Sequence, residues 1–153
     1  IGMGALKYYI LKVDPKKKML FNPKESIDLH GNTGPFIQYT YARCKSIWRK
    51  SNLQEIPLVN VGIELQPKEK ELIKIINGFS VAVEDAAKEY SPALVANYTY
   101  ELAKTFNQFY DACPVLKEED SAVRNFRLAL TYTVARTIKS ALNMLGIEVP
   151  ERM

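Results

Sequence analysis

A chain of 153 residues has room for one domain and hardly for two. With 47% hydrophobic and 25% charged residues its composition is ordinary for a globular protein and excludes a disordered chain. The net charge of +4 is unevenly spread: residues 1–50 carry ten Lys or Arg against three Asp or Glu, a balance of +7, and the remainder is net acidic. A basic first third suggests a face that meets a polyanion, although uneven solvation of an ordinary surface accounts for it equally well. No apolar run approaches the about 20 residues of a membrane span, and no charged segment precedes an apolar one in the manner of a secretory signal. Cys44 and Cys113 stand apart, so they form neither a disulfide framework nor a metal knuckle and suit a reducing cytoplasm. The first residue is Ile1, which reads as a piece of something longer.

Residues 1–13 are apolar and aromatic and fit a short helix or a strand. Asp14-Pro15 followed by Lys16, Lys17 and Lys18 reads as an exposed turn, and 19–31 as irregular structure punctuated by Pro23 and Gly31. The whole stretch 1–29 reads as a connector, with the folded unit occupying 30–153. Asn32 or Thr33 can cap a helix that Pro35 opens, predicted over about 34–50. Residues 51–66, with Pro57 and Gly62, read as a loop with extended backbone at 58–65. Pro67 opens the next helix, with Glu69 and Glu71 in its first turns and Gly78 as its stop. Another helix follows at 79–90. Ser91-Pro92 starts one that reaches about 112, before Pro114. Asp120 or Ser121 opens the last, which stops at Gly146. Five helices with short loops predict an all-α helical bundle.

At about 100° per residue, Ile37, Tyr41, Cys44 and Trp48 fall within about 60° of one another and form a core stripe. Phe36, Tyr39, Arg43 and Lys50 form a second stripe roughly 140° away on the same wheel. Aromatic rings followed by cations suit single-stranded RNA, whose unpaired bases stack on rings while arginine supplies charge and a planar fork. The same face could equally pack against another helix. On the helix at 92–112, Val95, Tyr98, Leu102, Phe106 and Phe109 form the core stripe. Tyr100, Ala103, Asn107 and Tyr110 lie on a more polar neighbouring face, where Asn107 and Tyr110 suit base edges or internal hydrogen bonds. The last helix buries Leu130, Val134, Ile138, Ala141 and Leu145, and Arg124, Arg127, Arg136 and Lys139 read as its solvated surface.

Catalytic chemistry is not visible. His30, the one histidine, sits in a turn and reads as a surface residue. No Gly-rich phosphate loop, nucleophile elbow or metal-spaced cluster occurs. The acidic run Glu118-Glu119-Asp120 precedes a helix, where it complements the helix dipole. No catalytic residue, cofactor or metal ligand is assigned.

Residues 31–43, GNTGPFIQYTYAR, resemble the arginyl-tRNA synthetase block G-N/D-T-x-P-Y-x-Q-Y-x-x-x-R. GALKYYIL at 4–11 looks like the segment after that family's catalytic domain. NYTYELAKTFNQFYD at 97–111 matches its N-Y-L-x-x-L-A-x-x-F-N-x-F-Y pattern, and RLAL at 127–130 and the terminal LGIEVPERM continue the similarity in order. The resemblance implies the C-terminal helical anticodon-binding (DALR) domain of a cytoplasmic class I synthetase. It implies a parent that ligates arginine to its tRNA with ATP and Mg²⁺, an upstream catalytic domain absent from this stretch, and a monomer without membrane contact. Carried over position by position, its tRNA contacts fall on Phe36, Tyr39, Arg43, Asn107, Tyr110 and Met153. Phe36 departs from the family tyrosine and loses a hydroxyl. The rivals are the equivalent domain of another class I synthetase, such as the cysteinyl enzyme, against which Gln38-Tyr39 and PERM argue, and a helical protein-interaction scaffold. The scaffold predicts that the Phe36/Tyr39/Arg43 face is buried or meets an apolar partner.

Overall fold

The computed structural model describes residues 1–59 and 62–153. Its described residues form seven helices and no strand: α1 (Gly2–Leu11), α2 (Pro23–Ser26), α3 (Gly34–Ser51), α4 (Pro67–Asn77), α5 (Phe79–Glu89), α6 (Pro92–Ala112) and α7 (Ser121–Met144). The five expected helices are α3–α7. The extended backbone expected at 58–65 includes Asn60 and Val61, which lie outside the described residues; the described residues on either side carry no strand.

Local chemistry sets the boundaries. The Thr33 hydroxyl accepts from Phe36 N (3.2 Å), and α3 ends on Asn52 in the left-handed region at φ 57°. The Glu69 carboxylate accepts from Gln66 N (2.7 Å) at the start of α4. Asp120 accepts from Ala122 N and Val123 N at the start of α7. Gly78, the expected stop, sits at φ −77° and serves as both the end of α4 and the start of α5. Ser91 holds the N-cap position of α6, but its side chain makes no capping bond.

α3 lies against α7 and α6, α4 and α5 cover α6, and α1 rests on α3 and α6. The core is Ile37, Tyr41 and Cys44 from α3, Leu102, Phe106 and Phe109 from α6, and Val134, Ile138 and Ala141 from α7. Tyr98 is only half-buried, its hydroxyl donating to Ile75 O, and burial pushes its phenol up to about 12. Trp48, expected in the core, is also half-buried: its ring tilts against Tyr132 at 4.9 Å along the rim of the α3–α7 seam. Arg127, expected to be solvated, is buried, because its guanidinium meets Glu69 of α4 and Glu118 of the α6–α7 loop, both at 2.6 Å.

Segment 1–29 is packed onto the bundle through α1. Tyr8 is fully buried, and its single hydroxyl proton has two acceptors within reach, Asn32 Oδ1 (2.6 Å) and Ala96 O (2.9 Å). Burial raises this phenol far above its ordinary range. The α1–α3 crossing is close because two glycines meet there: a Cβ on Gly34 would lie 2.8 Å from Gly4 O. Gly34→Ala must therefore push the two helices apart, and we expect a loss of about 1–3 kcal/mol in urea denaturation, as for other overpacked sites.

Candidate nucleic-acid interface

Three pieces of chain converge on one surface. α3 contributes Tyr39, Arg43 and Lys50, α6 contributes Asn107 and Tyr110, and the C-terminal segment contributes Arg152 and Met153. Tyr39 and Tyr110 are 41% and 38% exposed, which is high for tyrosine rings on two packed helices. Between them lies Arg43, its Cζ 5.1 Å from the Tyr39 ring centroid and 5.2 Å from that of Tyr110. Arg43 Nη1 donates to Asn107 Oδ1. The Asn107 amide in turn donates to Thr40 Oγ1 and Ala103 O, both at 2.9 Å, and Thr40 donates to Phe36 O. Both amide hydrogens of Asn107 are thus spent inside the bundle. Its side chain fixes the guanidinium rather than offering donors outward.

Two hollows flank this cluster. One, about 390 Å³, is lined by Tyr39, Arg43, Tyr110 and Met153, together with Arg49, Lys50, Arg152 and Leu116. Four cations line it and no acidic side chain does. The other, about 420 Å³, is lined by Leu29, His30, Phe36, Tyr39, Arg43 and Asn107. Tyr39 and Arg43 border both. Phe36 is half-buried, its ring 5.6 Å from that of Tyr100, so it packs against the bundle as well as lining a hollow.

All six residues singled out in the sequence line one or both hollows. Arg49, Arg152 and Leu116 were not singled out, nor was His30 as a lining residue. Arg49 lies off the Tyr39/Arg43 stripe, and Arg152 belongs to a tail with no helical period, so only the PERM ending pointed to it. Of the ten cations in the first fifty residues, Arg43, Arg49 and Lys50 reach the cationic hollow. Lys7 instead donates to Gly146 O, Lys12 to Asn32 O, and Lys45 pairs with Glu151. The Lys16–Lys18 turn lies elsewhere, with Lys16 beside Lys88 and Tyr90. An open tyrosine–arginine face lined by cations does not fit the buried or apolar surface that a packing scaffold requires.

No helix among the described residues is long and apolar enough to cross a membrane. No group of three or more His, Cys, Asp or Glu among them could hold a metal ion.

The family model of the DALR anticodon binding domain matches residues 37–153. The arginine–tRNA ligase of Flavobacterium psychrophilum is 58% identical over 153 residues, all of this chain and 25% of that protein. That of Bacteroides thetaiotaomicron is 53% identical, again over the whole chain and 26% of its length. The chain therefore spans about a quarter of these curated relatives. Among solved structures, Thermus thermophilus arginyl-tRNA synthetase superposes with a TM-score of 0.92 at 34% identity, covering 99% of this chain and 26% of the other. The Plasmodium falciparum enzyme gives 0.86 at 27% identity, covering 98% and 26%. The agreement in sequence, order of motifs and helix arrangement has one meaning: this chain belongs to the DALR anticodon binding domain family.

Proposed function

We propose that this chain is the anticodon-binding part of a cytoplasmic, monomeric arginine–tRNA ligase, that Phe36, Tyr39, Arg43, Tyr110 and Met153 form its contact with the anticodon loop, and that Asn107 serves the same site by positioning Arg43. The observation that carries the reading is the Arg43 guanidinium held between two half-open tyrosine rings at the edge of a hollow lined by cations and by no acidic side chain. Unstacked bases need aromatic faces, and the phosphates between them need cations. Both are present within one side chain's reach. Asn107 acts through Arg43, locking its direction.

Ligation of arginine to tRNA, with its ATP and Mg²⁺, belongs in this reading to the remainder of a longer chain. The described residues offer neither a phosphate loop nor a metal cluster, so no chemical step is assigned to them. Met3, Leu6 and Ile10 leave an apolar row exposed on α1, and this face together with segment 1–29 is the proposed junction with the catalytic domain. The purified chain should give no arginine-dependent ATP–pyrophosphate exchange; exchange above background would place the chemistry here.

Binding decides the function. An arginine anticodon stem-loop titrated by fluorescence anisotropy should bind more tightly than the same stem with a scrambled loop. Affinity should fall steeply as salt rises, because each neutralised phosphate releases counterions. Equal affinity for both loops, or an affinity indifferent to salt, would remove the anticodon reading.

A further inference from the structure

The C-terminal segment is strapped along α3, and the strap ends in the cationic hollow. After α7 the chain turns at Gly146, in the left-handed region at φ 67° that favours glycine. Lys7 Nζ donates to Gly146 O at 2.6 Å, and Ile147 is buried. Gln38 Nε2 then donates to Glu148 O (2.7 Å). Three turns further along α3, Arg49 Nη1 donates to Glu151 O (3.1 Å), while Lys45 Nζ pairs with the Glu151 carboxylate (3.2 Å). Four tethers thus fix the path of the tail, and the next residue is Arg152.

The side chain of Arg152 is exposed, and among the described residues it has no carboxylate within ion-pair distance. It lines the hollow beside Arg43, Arg49 and Lys50. An exposed arginine gains nothing from sharing a hollow with three like charges, whose mutual Coulomb energy is unfavourable. The strap instead delivers a fourth cation to a hollow lined by no acidic side chain. An anion bound in the hollow would relieve the crowding of like charge.

We propose that Arg152 binds a backbone phosphate of the RNA, adjacent to the base carried by the Tyr39–Tyr110 platform. The proposal rests on the RNA reading above and adds a residue and a role to it. A guanidinium suits a phosphodiester because its planar fork makes two parallel charged hydrogen bonds. Such a contact holds the backbone in register and reads no sequence.

The test measures binding of the whole chain to the arginine anticodon stem-loop and to the scrambled loop over a range of salt. Arg152→Ala should lower the slope of log affinity against log salt by roughly 0.7–0.9, the value of one phosphate contact. The affinity loss should be severalfold at low salt, the same for both loops, and should fade at high salt. Arg152→Lys should restore the slope, and neither variant should change the melting temperature. A wild-type slope in Arg152→Ala, or a loss confined to the arginine loop, overturns the proposal while leaving the RNA reading standing. Absence of binding by the unaltered chain overturns both.

Discussion

Arg127→Met should destabilise the domain by about 3–5 kcal/mol, the usual cost of stripping one partner from a buried ion pair. Glu69 is 1% exposed, and Arg127 Nε lies 2.6 Å from its carboxylate. Removing the guanidinium leaves that carboxylate dry with one remaining donor, Gln66 N. It also releases Pro114 O and Glu118, which Arg127 Nη1 binds at 2.8 and 2.6 Å, and so loosens the loop between α6 and α7. Glu69→Ala should cost less, because Glu118 still faces the arginine, although the start of α4 loses its cap. The double variant Arg127→Met/Glu69→Leu should recover part of the loss, since an apolar pair avoids the desolvation of both charges. Urea denaturation of the four proteins measures this. A loss below about 1 kcal/mol for Arg127→Met would place the pair in the class of solvent-screened surface bridges.

This pair also marks a boundary of what a sequence can tell. Helix ends α3 to α7 were legible because each carries its own chemistry nearby: Thr33 and Pro35, Pro67 and Gly78, Pro92, Asp120 and Gly146 act within one turn of the boundary. The buried faces of α3, α6 and α7 were legible from period. A period says which face is apolar, not what an unlike residue at its edge will meet. Arg127 read as solvated because its partner Glu69 is 58 positions away and read only as a dipole complement. Trp48 fell on the core stripe, yet it is only half-buried, its ring lying against Tyr132 of α7. α1 was ambiguous because apolar residues surround it, and no period separates helix from strand in so short a run.

The candidate site divides in the same way. Tyr39, Arg43 and Lys50 share a stripe of α3, and Asn107 and Tyr110 a face of α6, so each set was visible on its own wheel. That the two faces meet depends on the α3–α6 crossing, which no wheel contains. The internal use of Asn107 depends on Thr40, 67 positions distant. The tail has no period at all, so its tethers to Lys7, Gln38, Lys45 and Arg49 appear only in the folded chain.

The Tyr39, Tyr110 and Arg43 variants should separate recognition from folding. If the rings carry bases, Tyr39→Ala or Tyr110→Ala should each weaken binding to the arginine anticodon stem-loop by about 1–3 kcal/mol, the range for one lost base–aromatic stack. Tyr39→Phe keeps the ring face and should cost less than Tyr39→Ala. Arg43→Lys should also be harmful. An ammonium can sit near both rings, but it cannot copy a planar group that spans them and still reaches Asn107 Oδ1. Melting temperature should move little in the tyrosine variants, because more than a third of each residue already faces water. Leu102→Ala is the control: this side chain is fully buried, and its removal should cost about 2–5 kcal/mol of stability. If Tyr39→Ala and Tyr110→Ala unfold as readily as Leu102→Ala, the rings are structural props and the hollow beside them is incidental. If they change neither stability nor binding, the RNA runs elsewhere. A selective loss of binding, larger for the alanine than for the phenylalanine variant, would fix the two rings as stacking surfaces with Arg43 as the cation held between them.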